Sequence, residues 1–350
     1  MEFLIYSASN ETGIYLSRYN EETGSLSTPE LLPDTPKTFF MALHPRRPLL
    51  YTVEIGADRI HAFSIAADGR LHPINSVPSH GKAPCHPVVA PEGDVLVVAN
   101  YNGGVVAYRL REDGGLDESA PALYQPEGSS VDPKRQTGPH PHGIAFTHAD
   151  GQRWVHVADL GTDRVDALEL VTSPNLALRY APERSVRVSA GAGPRHLAIH
   201  RSGSAAVVVN ELGNTVSAFR ITNGRWEAAN ERSTLPEGFA GTSYTAEIEF
   251  HPTAPDIFYT TNRGEESLAV FSIDPATGTV AFVCRVAPTG QFPQHVAFTP
   301  TGKSLFVVNT KSNSVSVLPL DASSGLPAGA PTHQYPVPAP MYVLCYRHEN

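Results

Sequence analysis

Cysteine is scarce in this sequence: Cys85, Cys284 and Cys345 are the only three, an odd number with no C-x-x-C spacing. That count disfavours a disulfide framework and a cysteine-built zinc site and points to reduced thiols. Histidine and aspartate remain as metal ligands, but H-E-x-x-H and similar spacings are absent. Long apolar runs are lacking too. No window approaches the roughly 18 uninterrupted apolar residues of a membrane span. The opening MEFLIYSASNETG has neither a basic n-region nor a long apolar core. A cytosolic protein without membrane contact is therefore expected. Lys/Arg-rich blocks are missing and the formal net charge is −9, which argues against nucleic acid or an anionic lipid surface as the main partner. A small molecule fits better. The G-x-S-x-G nucleophile elbow is also absent, which disfavours a serine hydrolase.

What is abundant is turn chemistry, with 28 Gly and 31 Pro among 350 residues. Between the turns lie short, β-branched runs such as AAVVVN (205–210), TVSAFRI (215–221), LFVVNT (305–310) and SVSVLPL (314–320). They have strand length, not helix length. Hairpin signals separate them, among them Ser202-Gly203, Asn223-Gly224, Thr277-Gly278 and Thr301-Gly302.

Segments such as HPVVAPEGDVLVVANYNGGVVAYRL, GPRHLAIHRSGSAAVVVNELGNTVSAFRI and QHVAFTPTGKSLFVVNTKSNSVSVLPL repeat one plan of strand, turn, strand, loop, strand. The turn-entry residues Pro45, Pro91, His148, Arg201, Pro252 and Pro300 are spaced by 46, 57, 53, 51 and 48 residues. A period near 50 with loop insertions is the signature of a propeller. A more polar fourth strand follows each unit, for example WEAANERS. Six copies are complete. The seventh is split: APMYVLCYR near the C-terminus matches a first strand, while FLIYSAS and GIYLSRY near the N-terminus match the second and third. The expected fold is an all-β, seven-bladed propeller of four-stranded antiparallel blades, a single domain over 1–350. Residues 339–347 join residues 2–31 to close the ring without an open edge.

Within such a blade the start of the first strand and the end of the second lie at the same face. Arg195 begins a first strand and Glu211 ends the adjacent second strand, so they are expected to meet. The same face collects His86, His142 and Gln294-His295 from first strands, and Asn100-Tyr101-Asn102, Asp159, Asn262-Arg263 and Asn309-Thr310-Lys311 from second strands. The opposite face collects HPRR, APEG, HRSG and TPTG turns, which read as plain hairpin chemistry.

With GPRHLAIH followed by VVNELGNTVSAF, the inter-blade GSSVDPKRQTGPHPHG, TTNRGEESLAVF and the closing APMYV in view, the whole chain resembles the propeller lactonases. That family includes propeller-type 6-phosphogluconolactonases and 3-carboxy-cis,cis-muconate cyclases. The resemblance implies a metal-independent, cofactor-free site built from His142, Arg195, Glu211 and Arg263. By itself, a Glu211–Arg195 pair would read equally well as a structural ion pair. Convergence of Arg263 and His142 from other blades favours a site, and two arginines suit carboxylate or phosphate oxygens.

His140, two residues before His142, could exchange roles with it, since alternation sends both the same way. His86 and His295 either line the mouth or wedge between blades; with Tyr101, Gln294 and His140 they are candidate substrate contacts. His196 and His200 read as packed or surface residues and Cys85 as an inert core thiol. The insertion at 127–137 reads as a lid that brings Arg135 and the Gln136 amide over the pocket. Lactone opening needs a base, Glu211 or His142, and an arginine for the oxyanion. Hydrolysis of 6-phosphogluconolactone by a monomer is the leading expectation. Lactonising a carboxylated muconate is the alternative, and a non-catalytic binding platform the third reading.

Overall fold

The strand Ala205–Asn210 is buried at all six residues because both of its faces are covered. Ala205, Val207 and Val209 pack with Ile248 and Phe258 of the following repeat, whereas Ala206 and Val208 pack with Ala158 and Val165 of the preceding one. A sheet sandwiched between two others needs no polar alternation in its middle strands, so they read as continuous apolar runs. Each buried valine contributes roughly 1.5–3 kcal/mol, and every blade repeats the arrangement.

In the computed structural model, residues 1–287 and 289–347 are described, and they form seven antiparallel sheets. The innermost strands, in order around the ring, are Pro340–Tyr346, Phe40–Leu43, Lys82–Val89, Pro141–Ala149, Pro194–Ile199, Tyr244–Phe250 and Pro293–Phe298. Each touches the next and the last touches the first, so the ring is closed. We number the blades 1 to 7 in that order. Blade 1 is the composite one: Pro340–Tyr346 pairs antiparallel with Glu2–Ser9, matching Leu4 to Tyr346 and Ala8 to Tyr342. In blades 1, 4 and 7 the outermost strand is broken into two short pieces that pair with the same neighbour.

Neighbouring blades are latched by a recurring device. Tyr6, Tyr51 and Tyr259 occupy second-strand-type positions and are fully buried. Their hydroxyls donate to the Gly69, Gly114 and Gly325 carbonyls of the following blade at 2.7, 2.9 and 2.8 Å. A buried phenol requires such a partner, and a turn carbonyl supplies it each time.

The feature that shapes the mouth is a β-bulge near the start of most inner strands. In blade 5, Pro194 is opposite Asn210 but His196 is opposite Val209, which leaves Arg195 without a cross-strand partner. The same slip isolates His142 in blade 4, Gln294 in blade 7 and Cys85 in blade 3. In blade 6 it falls between Thr245 and Ile248, at Ala246-Glu247. A bulge re-aims a side chain that regular pleating would send elsewhere.

Candidate active site

At the centre of the bulged ends lies Glu211, 6% exposed, at the end of the second strand of blade 5. Three guanidiniums from three parts of the ring surround its carboxylate. Arg263, closing the second strand of blade 6, donates from Nη2 to Oε2 at 2.7 Å. Arg135, from the insertion between blades 3 and 4, donates from Nη2 to Oε1 at 2.7 Å. Arg195 places Nε 3.2 Å from Oε2, a Coulombic contact without hydrogen-bond alignment, while its Nη1 donates to the Ala246 carbonyl.

Burial alone would raise the Glu211 pKa, but Arg263, Arg195 and Arg135 together hold it below the usual carboxylate value. Burial and the Arg263 charge lower the Arg195 guanidinium to about 10, against the pull of Glu211 and Glu247. Arg195 is 1% exposed, so it steadies Glu211 from below. The groups that reach the mouth are Arg263 and, more openly, Arg135.

His142 is buried by its bulge, and among the described residues its Nδ1 has no hydrogen-bond partner. Burial, then the charges of Arg195 and its neighbours, pushes the imidazole pKa well down, so the ring is neutral at pH 7. Gly143 makes the position possible: a Cβ there would lie 2.6 Å from the Arg195 carbonyl oxygen and 2.7 Å from the His196 Cα. His140 stands apart from His142. It is half-buried at the rim, stacked on Tyr101 at 4.4 Å between centroids, with Nδ1 2.9 Å from the Tyr101 carbonyl oxygen. The Tyr101 hydroxyl in turn accepts from Arg135 Nη2 at 3.1 Å, so blade 3 and the insertion share one rim. Gln294 accepts from Arg263 Nη1 at 3.1 Å and orients that guanidinium. Lys311 lies on the same rim, over the Phe292 ring that Arg263 also faces.

Gln136 is placed differently from the sequence expectation. Its amide is fully buried and faces away from the mouth, donating to the Leu160 carbonyl and Asp163 Oδ1 at 2.8 and 2.7 Å and accepting from the Asp132 N–H. The insertion spends that amide on its own attachment, leaving Arg135 as its contribution to the site. His86 and His295 also sit below the mouth, not on it. With His196, Phe40 and Tyr342 they form a plug of packed rings across the axis, Phe40 meeting His86, His196 and His295 edge to face and Tyr342 at a tilt, all at 4.7–5.8 Å.

Several asparagines expected at the mouth are inter-blade fasteners. Asn100 and Asn262 donate to the Ser79 and Thr234 carbonyls at 3.0 and 2.9 Å. On the opposite face His44 and His251 hold turns, as plain hairpin chemistry requires. Cys85 is buried, and burial raises its thiol to about 12, the state of an inert core residue.

Two residues absent from the sequence reading matter here. Asp163 is 2% exposed and accepts from Ser130, Gln136 and the N–H groups of Gly191 and Gly193, which ties the insertion to the turn entering Arg195. Gly193 adopts φ 64°, and a Cβ there would lie 2.6 Å from Leu212. The second is Glu247, buried beside His196. Aligning TAEIEF with PRHLAI through the bulges would have found it.

The model of the family described as lactonase, 7-bladed beta-propeller, matches residues 4–345. A 6-phosphogluconolactonase of Bacillus subtilis is 30% identical over 331 residues, covering 91% of this chain and 90% of that one. A 6-phosphogluconolactonase of Formosa agariphila is 26% identical over 90% of each chain. Among solved structures, a periplasmic gluconolactonase of Pseudomonas aeruginosa superposes with a TM-score of 0.89 at 25% identity over 99% of both chains.

Proposed function

Because the chain belongs to the lactonase family of seven-bladed β-propellers, we propose that it hydrolyses a sugar-acid lactone, 6-phosphogluconolactone first among them. The observation that carries this reading is the excess of cationic groups at the mouth: Arg135, Arg195 and Arg263 around the single carboxylate of Glu211. That cluster keeps a net positive charge for an anionic substrate. The Bacillus subtilis relative, named for the phosphorylated lactone, supports that choice of substrate.

Both oxygens of Glu211 are engaged by arginines and its pKa is held low. With neither oxygen left to face a water, it acts as the post that aligns the cations. His142, neutral and without a partner at Nδ1, is the base. Water delivers its proton to His142 while its oxygen bonds to the lactone carbonyl carbon. Arg263 stabilises the oxyanion, and the ring oxygen leaves as an alcohol by taking that proton back from His142, which is neutral again when the product acid ionises. Arg135 and Lys311 bind the remote acid or phosphate group. None of these steps requires a cofactor.

The test is pH-stat hydrolysis of freshly generated 6-phosphogluconolactone beside glucono-δ-lactone, corrected for spontaneous opening. A clear preference for the phosphorylated substrate supports the proposal. Equal rates would move the substrate to unphosphorylated lactones. No rate above background on either would remove lactone hydrolysis and make carboxymuconates the next compounds to try.

A further inference from the structure

Beneath the arginine cluster the inner strands close around buried polar groups to which the hydrolysis above gives no task. His196 follows Arg195 in blade 5, and its Nδ1 lies 2.8 Å from Oε1 of Glu247 in blade 6. The two residues are 2% and 6% exposed. Toward the mouth, the His196 ring meets that of His142 edge to face, with centroids 5.0 Å apart. His142 Nδ1 and His196 Nε2 are both buried without hydrogen-bond partners among the described residues. Away from the mouth, Glu247 Oε2 is likewise buried and unbonded, with His295 Nε2 3.5 Å from it. Glu247, His86, His295 and Tyr342 then line a cavity of about 230 Å³. It extends past Glu249 and Cys345, residues further along strands that begin at the mouth, and so leads toward the opposite face.

The partners fix the tautomers. His295 Nδ1 accepts from the Val343 N–H and His86 Nδ1 from the Ile144 N–H, so each neutral ring carries its proton on Nε2. Glu247 holds the His196 proton on Nδ1, which leaves His196 Nε2 as a bare acceptor beside His142.

We propose that His142, His196 and Glu247 form a proton relay from the mouth to the axial cavity. It rests on the lactonase reading and answers a need which that reading creates. Lactone opening forms a bond from the water oxygen to the carbonyl carbon and breaks the bond from that carbon to the ring oxygen. One proton ends on the new alcohol and one is released as the product acid ionises. With substrate seated over the mouth, the released proton leaves through the axis. It passes from His142 Nδ1 to His196 Nε2 as His196 gives its Nδ1 proton to Glu247, which discharges into the cavity. The relay requires a turn of the His142 ring, whose Nδ1 is not held by a partner, to bring the two imidazoles into line while His196 stays on Glu247. Glu247 is a positioning and proton-accepting residue and does not touch the substrate.

Glu247→Gln keeps the size of the side chain but cannot take up a proton. Its kcat is expected to fall about 10- to 100-fold, at or below the lower end of what positioned proton transfer contributes. KM should stay within about twofold, with part of the loss restored by added imidazole acting as an outside base. Glu247→Asp retains the charge and should keep more kcat than the amide, which covers the case of a misfolded Gln variant. A readout independent of turnover is ¹⁵N–¹H NMR of the histidine rings. Wild-type His196 should be the Nδ1–H tautomer, and E247Q should move the ring nitrogens of His142 as well as those of His196. If the wild type opens the lactone and E247Q does so at wild-type kcat with no imidazole effect, the relay is overturned and the lactonase reading stands. If the wild type opens no lactone, the lactonase reading falls and the NMR decides alone: unchanged His142 resonances in E247Q overturn the relay.

Discussion

Arg135 and Glu211 are 76 residues apart in sequence and 2.7 Å apart in space. Their contact attaches the insertion at 127–137 to blade 5 and leaves the Arg135 side chain about one-third exposed to an incoming anion. Arg135→Ala is expected to lower kcat/KM for the phosphorylated lactone roughly 10- to 100-fold, as for loss of a charged hydrogen bond. Most of the loss should fall in KM, and an unphosphorylated lactone should lose less. Steady-state kinetics on the two substrates checks this.

Among the described residues, Glu211 is the one carboxylate that faces Arg195, Arg263 and Arg135 together. Glu211→Gln strands three guanidiniums, one of them fully buried, without a counter-charge. A stability loss of roughly 3–5 kcal/mol is expected, together with loss of turnover. Urea unfolding followed by tryptophan fluorescence would detect the first and the pH-stat assay the second. A variant of wild-type stability that still opens the lactone would show that the cluster does not depend on this charge.

The buried histidines set the acid limit of the fold. Burial lowers His86 and His295 to about 4, and holds His142 and His196 well below their ordinary value. Their folded pKa values lie under the unfolded value of about 6.5, so unfolding takes up protons in that range. Their stabilisation is complete above pH 6.5 and is lost as pH falls from there toward 4. Glu211, also depressed, adds to the loss below its own unfolded value. Asp159 works the other way. Burial raises its carboxyl to about 6, so its contribution is full below its unfolded value of about 4 and is lost as pH rises toward 6. Glu249, whose carboxyl burial holds well above its ordinary value, acts in the same sense. With His156 also lowered, to about 3, the histidines outnumber these two carboxyls, and melting temperature should climb between pH 4 and 6.5. A flat profile across that window would contradict the buried neutral state of the plug.

Asp163 offers a different lever, since it touches no group proposed to meet substrate. Asp163→Ala releases Ser130, Gln136, Gly191 and Gly193 at once. Faster proteolytic cleavage within 127–137 is expected, with KM rising more than kcat falls. Limited proteolysis with and without substrate analogue separates this from global unfolding: only local opening is reversed by ligand.

The ring and the meeting of Arg195 with Glu211 were legible because middle strands covered on both sides leave unbroken apolar runs, and because hairpin reversal forces those two residues to one end. The bulges were not legible. A strict period of two sends His140 and His142 the same way, whereas the slip at His142 turns it inward and leaves His140 stacked on Tyr101. The same offset carries His86 and His295 into the plug. Gln136 was misplaced for another reason. Its sequence neighbours are solvated, and only the fold reveals that Asp163 and Leu160 consume its amide. Glu247 escaped notice because a lone carboxylate in TAEIEF looks like strand-edge polarity until blade 6 is laid over blade 5.

The composite blade has a consequence for how the chain reaches its final state. Until Pro340–Tyr346 docks, Glu2–Ser9, buried at seven of its eight residues in the finished ring, has a bare hydrogen-bonding edge. Bringing distant chain segments together costs only about 0.6 kcal/mol more per doubling of the intervening length, and the other six blades already hold the gap narrow. Closure is therefore cheap, but its failure is not. A chain cut before residue 340 loses Tyr342 and the Val343 N–H from the axis and acquires an edge that fits the edge of its own copies. For such a chain, inactivity and aggregation would be one event.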